Sequence, residues 1–466
     1  MSLPESKSEG ASVAIEGALP DNSFSSRKLW GFEFLSSVGV PFARLKAWAV
    51  RGGASILQQG FFAGSHFVAN IFLARWMVPE SYGAFALAYS FFLLLLSLYM
   101  AVFYEPLLVY GPGRYKAIFS EYVRLLIRGH FLLLLPVSVL VVLVAPLIGH
   151  FYTHEFQTAF VSLAAVAPFL LLVWLLRAVY YARLNPYAGT MAGACYFVLL
   201  LLSVWTLSRL GLLSPATALG AIGISSFLVS AGCMFGIRKN GQTQIGLPKG
   251  MNSRILSDHW SYGRWAAFTA VATWIPANIY YALLPARFGL EGTAILRAMM
   301  NLMYPLLHSF SALLTLLIPI LVRQRERSGL QVSKRTTLHL IAMYIPVGLL
   351  FLFFVVALRV PLLRLLYAGR YSSVSTWTVI CVAALPITNG VIGLLASALR
   401  SFERPRLAFF GYLPSTIAAM VVGIPLALHY GVSGAASGLV LSDLSAIVAL
   451  WICFAGCKEG DGVLEQ

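Results

Sequence analysis

Long apolar runs separated by short polar turns fill the chain from about residue 52 to about residue 456. A helix needs about 20 mostly apolar residues to cross the hydrocarbon core of a bilayer. The pattern predicts twelve such spans, at about 52–76, 83–110, 129–150, 157–182, 188–208, 213–236, 263–286, 292–321, 338–359, 374–399, 407–429 and 433–456. The short junctions between them leave no room for a large extramembrane domain.

Composition supports the same interpretation. Hydrophobic residues make up 59% of the chain and charged residues 11%, and the mean hydropathy is +0.81. Soluble proteins carry about 25% charged residues. We therefore predict an all-α polytopic membrane protein. Residues 1–51 are expected to form a tail whose stretch 29–50 mixes aromatic and basic residues, as interfacial amphipathic segments do.

The net charge of +16 is distributed unevenly among the tails and junctions. Counted over the predicted topology, 26 Lys and Arg side chains lie on one side of the membrane and 6 on the other, while Arg297 lies inside a span. Basic residues concentrate on the cytoplasmic side of membrane proteins. Both tails and the central loop are therefore predicted to be cytoplasmic. The basic charge is explained by topology, and we expect no nucleic-acid partner.

The chain contains an internal repeat. Ala69-Asn70-Ile71 in the first span recurs as Ala277-Asn278-Ile279 in the seventh, about 208 residues later. Six spans precede the central loop and six follow it, so both halves enter from the same side and form parallel repeats. We predict two parallel six-helix lobes around a central cavity. The boundaries are a tail at 1–51, lobes at 52–236 and 263–456, a cytoplasmic loop at 237–262 and a tail at 457–466.

The turn after the first span carries a recognisable run. Ala74-Arg75-Trp76-Met77-Val78-Pro79-Glu80-Ser81-Tyr82-Gly83 resembles the first-loop pattern of polysaccharide transporter family flippases. The run from Gly431 to Gly438 is similar to the start of the last core span in that family. The family belongs to the multidrug/oligosaccharidyl-lipid/polysaccharide exporter superfamily, whose two-lobed architecture matches the predicted spans.

The resemblance implies a function. It suggests a multi-pass protein of the bacterial inner membrane that moves an undecaprenyl-pyrophosphate-linked oligosaccharide from the cytoplasmic to the outer leaflet by alternating access. The implied partners are the lipid-linked glycan, membrane lipids and a polysaccharide polymerase or export machinery. No cofactor is implied.

Ionisable side chains inside spans are costly and are therefore candidates for function. The eighth span carries a polar stripe at helical spacing, formed by Arg297, Asn301, Tyr304 and His308. We expect this stripe to face the cavity. A guanidinium is always charged and donates in a fork, which suits a pyrophosphate. The alternative for Arg297 is that it extends to the outer surface.

Further binding candidates are His66 and Asn70, which share a face of the first span, and Asn278 as the repeat partner of Asn70. Asp443 in the twelfth span and Glu105 in the second are the candidates for a coupling ion.

Each charged candidate has a structural alternative. Asp443 could instead pair with Arg297, and Glu105 could simply reach the cytoplasmic interface. Arg177, near the inner end of the fourth span, is expected to extend to the cytoplasmic surface.

Other functional classes fit the sequence less well. It contains no nucleophile–base pair, metal-binding spacing or glycine-rich phosphate loop, so an enzyme, a cofactor and a metal are not expected. A cation-coupled multidrug antiporter of the same superfamily should carry acidic residues in the first lobe, where only Glu105 lies at span depth. A membrane-embedded glycan polymerase or ligase needs a large outer loop, but the longest outer junction is the short segment 359–373. A major-facilitator transporter should carry a Gly-x-x-x-Asp-Arg/Lys-x-Gly-Arg pattern between its second and third spans. The loop 111–118 lacks that pattern, so this class of transporter is not expected.

Overall fold

The computed structural model describes residues 42–148, 153–183, 186–239, 250–402 and 405–457. These residues form helices and contain no strand. The α-helices are α1 (Phe42–Trp76), α2 (Pro79–Tyr99), α3 (Glu105–Tyr110), α4 (Phe119–Ile148), α5 (His154–Ala182), α6 (Pro186–Arg209), α7 (Pro215–Lys239), α8 (Met251–Leu283), α9 (Pro285–Ser328), α10 (Leu330–Ala357), α11 (Arg359–Tyr367), α12 (Thr376–Ser401), α13 (Pro405–Ala418) and α14 (Ile424–Gly456). Five-residue π-helices at Met100–Tyr104 and Ala419–Gly423 join α2 to α3 and α13 to α14, and a 3₁₀ turn covers Lys116–Ile118.

The predicted fold class is confirmed. Within the described residues, eight helices are long and apolar enough to cross a membrane, and the bent pair of α8 and α9 adds a ninth if it is counted as one span. Within the described residues, each of the twelve predicted runs lies mostly on helices. The last two predicted runs meet inside α14, where Gly431 has a φ of 61° and interrupts the helical backbone.

The helices differ from the predicted spans at several ends. α8 begins at Met251, so residues 251–262 of the predicted central loop are helical. Hydropathy misses this segment because its polar side chains extend a helix beyond its apolar part. Gly289 breaks α9 near its start with a φ of 67°. The tail segments 1–41 and 458–466, and with them most of the predicted interfacial stretch, lie outside the described residues.

Local sequence signals explain where helices begin. Ser214 and Thr217 cap α7 reciprocally: the Ser214 amide donates to Thr217 Oγ1 at 2.8 Å, and the Thr217 amide donates to Ser214 Oγ at 3.2 Å. Ser375 accepts the Thr378 amide at the start of α12. Such caps satisfy backbone N–H groups that have no partner within the helix.

Two central helices organise the halves. In the first half, α5 packs against α2, α4, α6 and α7; in the second, α12 packs against α9, α10 and α14. The halves meet where α2 contacts α8 and α9. Gly83 permits this close approach, since a Cβ there would lie only 1.9 Å from the backbone oxygen of Leu290.

A second junction joins the halves at the end that the charge count assigns to the cytoplasm. Arg114 and Asp258 form an ion pair at 2.6 Å. His259 Nδ1 lies 2.8 Å from the carbonyl oxygen of Val102, inside the first π-helix, and its Nε2 lies 2.6 Å from the hydroxyl of Tyr122. A π-helix disturbs the regular i→i−4 bonding, and here one of its carbonyls accepts a bond from the other half.

Candidate functional site

A cavity of about 440 Å³ lies between helices of both halves, and we call it the first cavity. Its wall is built by α1, α2, the first π-helix, α5 and α9. The lining residues are Gln59, Phe62, Ala63, His66, Phe67, Asn70, Tyr89, Phe92, Leu93, Leu96, Met100, Tyr104, Trp174, Arg177, Tyr181, Arg297 and Tyr304. This described lining contains two arginines and a histidine but no carboxylate, so its formal charge is positive.

Arg297 is held inside the protein. Its side chain is 3% exposed. Nε donates to Asn70 Oδ1 at 3.3 Å, which joins α9 to α1, and Nη1 donates to the Tyr304 hydroxyl at 3.0 Å. The guanidinium carbon also lies 4.9 Å from the ring centroid of Tyr89 and 6.0 Å from that of Tyr281. These contacts place Arg297 in the cavity wall and away from the outer surface.

Asn301, one turn along α9, extends the same network. Its amide donates to the Tyr82 hydroxyl at 2.9 Å, and that hydroxyl donates to Asn70 Oδ1 at 3.5 Å. Asn70 and Tyr82 belong to the first half, while Arg297 and Asn301 belong to the second. We call these four residues, with Tyr304, the inter-half network. It links the halves through polar side chains that are buried, apart from the partly exposed Tyr304.

His66 lies one turn before Asn70 on α1, and its ring contacts two tyrosines. Its Nδ1 is 3.3 Å from the Tyr89 hydroxyl and its Nε2 is 3.2 Å from the Tyr196 hydroxyl. The ring therefore joins α1 to α2 and α6, and one of its faces lines the first cavity.

Arg177 corrects the sequence interpretation. It does not extend to the cytoplasmic surface, because α5 is surrounded by other helices and the side chain is only 5% exposed. The guanidinium carbon lies 3.9 Å from the ring centroid of Phe62 and 4.4 Å from that of Trp174. Within the part of the chain that the structure describes, Nε and Nη1 are buried without a hydrogen-bond partner.

A second cavity of about 320 Å³ lies within the second half and contains Asp443. Its Oδ2 accepts a hydrogen bond from the Thr388 hydroxyl and another, of 2.7 Å, from the Asn389 amide. Asp443 therefore binds α12, and the described contacts give it no pairing with Arg297. Polar groups from Thr273, Tyr412 and Ser415 also line this second cavity.

The remaining candidates are placed as follows. Asn278 donates to the Trp274 carbonyl of its own helix at 3.3 Å and is not among the described residues lining either cavity. Glu105 is exposed and accepts from the Tyr262 hydroxyl at 3.3 Å. His308 lies on α9, but its side chain is outside the described residues. The structure thus brings together Arg297, Asn301, Tyr304, His66 and Asn70, and leaves Asp443, Glu105 and Asn278 elsewhere.

The quoted first-loop run lies where the halves meet. Pro79 opens α2, Tyr82 enters the inter-half network and Gly83 admits the α9 backbone. Arg75 donates to the carbonyl of Leu365 in α11 at 2.9 Å. In the sequence these residues stand out only as a motif, and their contacts between the halves could not be predicted from it. Tyr89, which contacts both Arg297 and His66, was missed because a tyrosine in an aromatic span carries no separate signal.

Comparison with known proteins identifies the fold. No protein-family model and no curated protein matches the sequence. Solved structures do match. An inward-facing multidrug resistance transporter of the MATE family has a TM-score of 0.69 and 14% identity, over 85% of this chain and 93% of that one.

Lipid II flippase MurJ, in an inward closed conformation, has a TM-score of 0.66 and 14% identity, over 87% of each chain. A MOP superfamily transporter from Pyrococcus furiosus has a TM-score of 0.61 and 14% identity, over 87% of this chain and 93% of that one. This chain shares the fold of these solved transporters. The matched structures are transporters rather than enzymes, and the chain is a multi-pass membrane protein.

Proposed function

We propose that the protein is a flippase for an undecaprenyl-pyrophosphate-linked oligosaccharide, the repeat unit of a surface polysaccharide. One observation carries the proposal: the described lining of the first cavity holds Arg177 and Arg297 and no carboxylate. Charged side chains inside a membrane are costly, so those that occur there usually serve a function. Two cations without an acidic side chain in the described lining favour an anionic substrate. A diphosphate headgroup has that charge.

Alternating access would expose the first cavity to each side in turn. The inter-half network and the Arg114–Asp258 ion pair each join the halves in this structure, and these contacts would have to change during the cycle. We propose that Asp443, in the second cavity, or Glu105 carries the coupling proton or cation, and that both termini lie in the cytoplasm of a bacterial cell. A polymerase or export machinery is the expected recipient of the product.

A cation-coupled multidrug antiporter remains the second candidate, and Asp443 favours it. A partly buried carboxylate in a cavity of about 320 Å³ is suited to a cationic compound. This candidate places the substrate in the second half, whereas the flippase places its headgroup between the halves.

Deletion of the gene separates the candidates. A flippase mutant should accumulate lipid-linked oligosaccharide in the inner leaflet and lose surface polysaccharide, and wild-type protein should restore both. Arg297→Ala should insert into the membrane at the wild-type level and fail to restore export. Normal export by that variant, or a mutant whose only defect is sensitivity to cationic drugs, would contradict the proposal.

A further inference from the structure

The least satisfied polar groups on the wall of the first cavity belong to one turn of α5. Arg177 Nε, Arg177 Nη1 and the Tyr181 hydroxyl are buried, and none makes a hydrogen bond of normal length among the residues that the structure describes, although the two side chains interact electrostatically with each other. Both residues line the first cavity. They are four positions apart, so their side chains share one face of the helix.

Leaving such donors unpaired is expensive. A buried donor without a partner costs about 1–3 kcal/mol, and a charged one costs more. Native proteins satisfy most buried polar groups. Three orphan donors on one turn therefore indicate a missing acceptor that enters the cavity.

The surroundings of Arg177 restrict how that acceptor approaches. The ring centroids of Phe62 and Trp174 lie 3.9 and 4.4 Å from the guanidinium carbon. The aromatic contacts hold the cation without using its N–H groups. Nε and Nη1 therefore remain without an acceptor, and an oxyanion that reaches them can accept two parallel bonds from a guanidinium.

Arg297 differs in this respect. Its Nε and Nη1 are already engaged by Asn70 and Tyr304, and the first of these bonds joins the two halves. The two arginines of one cavity thus differ: Arg297 joins the halves through the inter-half network, whereas Nε and Nη1 of Arg177 make no hydrogen bond of normal length among the described residues.

We propose that Arg177 and Tyr181 form an oxyanion subsite that binds the substrate's anionic group in this state, while Arg297 bridges the halves. The inference rests on the proposed function for the identity of the substrate. The oxyanion comes from one of two sources, the diphosphate of the lipid carrier or the carboxylate of an acidic sugar in the glycan.

Binding to the purified full-length protein tests the subsite directly. The ligands are a short polyprenyl diphosphate, the matching neutral polyprenol and glucuronic acid. We expect the wild-type protein to bind one of the two anions and Arg177→Gln to weaken that binding about 10-fold or more. Arg177→Lys keeps the charge but loses the fork, so its affinity should be intermediate. Arg183→Gln, at the residue that follows the last residue of α5 and lies outside the described cavity lining, is the control and should bind normally.

Tyr181→Phe is a second variant, chosen because it should not disturb folding. It removes only an unpaired hydroxyl, so the thermal unfolding midpoint should stay the same or rise, while anion affinity falls several-fold. Weaker diphosphate binding assigns the subsite to the lipid carrier, and weaker glucuronate binding assigns it to the sugar. Unchanged affinity for both anions in Arg177→Gln and Tyr181→Phe overturns the subsite, even if transport proves correct. Arg177-dependent binding without any lipid flipping would instead contradict the proposed function and leave the subsite standing.

Discussion

Replacement of Arg297 by Gln separates a binding role from a structural one. The buried guanidinium has no carboxylate among its described contacts, and its desolvation costs several kcal/mol. Two hydrogen bonds from a charged donor, to Asn70 and Tyr304, return about 1.5–3 kcal/mol each. The contact with Tyr89 adds up to about 2 kcal/mol. Because these contributions oppose each other, we expect Arg297→Gln to change the free energy of unfolding by less than about 2 kcal/mol.

Substrate binding should respond differently. Loss of one charge-assisted bond to the anionic headgroup removes about 1.5–3 kcal/mol, which corresponds to about a 10- to 150-fold loss of affinity. The assay pairs unfolding in detergent with binding of a polyprenyl diphosphate. Arg287→Gln, an exposed position near the start of the same helix, is the matched control and should change neither quantity. The reasoning fails if Arg297→Gln unfolds far more easily than wild type, or if it binds and transports normally.

Three further predictions follow from other contacts. Asp443→Asn should remove the dependence of transport on pH or sodium, measured as flipping across imposed gradients; normal dependence would make Asp443 structural at most. Gly83→Val should force the halves apart, because even a Cβ would meet the Leu290 backbone oxygen at 1.9 Å. The accessibility of a cysteine introduced into the first cavity should therefore rise, and unchanged accessibility would contradict the packing. Asp258→Asn breaks the partly exposed ion pair with Arg114. Solvent weakens ion pairs at such positions, so the accessibility of a cysteine introduced at the predicted cytoplasmic end should change only a few-fold, and complete opening would contradict this prediction.

Much of the fold could be predicted because bilayer thickness imposes a length on every apolar run. The eighth span illustrates how far this extends to the site. Arg297, Asn301 and Tyr304 recur at helical spacing among apolar residues, and the structure places Arg297 and Tyr304 on the first cavity and Asn301 in the network beside it.

The position of a residue along its helix does not show which other helices pack against it. For this reason the surroundings of Arg177 and Asp443 could not be predicted from the sequence. Arg177 lies close enough to a helix end to reach water, but α5 is enclosed by α2, α3, α4, α6 and α7. The partners of Asp443 also depend on packing, since Thr388 and Asn389 belong to a helix more than fifty residues earlier in the chain.

The internal repeat misled in a related way. Asn70 and Asn278 occupy matching positions, and both donate to a carbonyl one turn earlier in their own helix. Only Asn70 also meets Arg297, which has no charged counterpart in the first half. A symmetric scaffold therefore carries an asymmetric site, because the residues that surround Asn70 differ from those that surround Asn278.

Flipping by the purified protein in proteoliposomes tests the central claim most directly. The vesicles contain a fluorescent polyprenyl-diphosphate oligosaccharide in both leaflets, and a membrane-impermeant quencher reports how much becomes accessible. We predict that the wild-type protein makes nearly all of the lipid accessible, that Arg297→Gln lowers the rate at least 10-fold, and that a neutral polyprenyl glycoside is not moved. Vesicles that leave half of the diphosphate lipid protected, yet accumulate a cationic dye in exchange for protons or sodium, would contradict the account and support the antiporter.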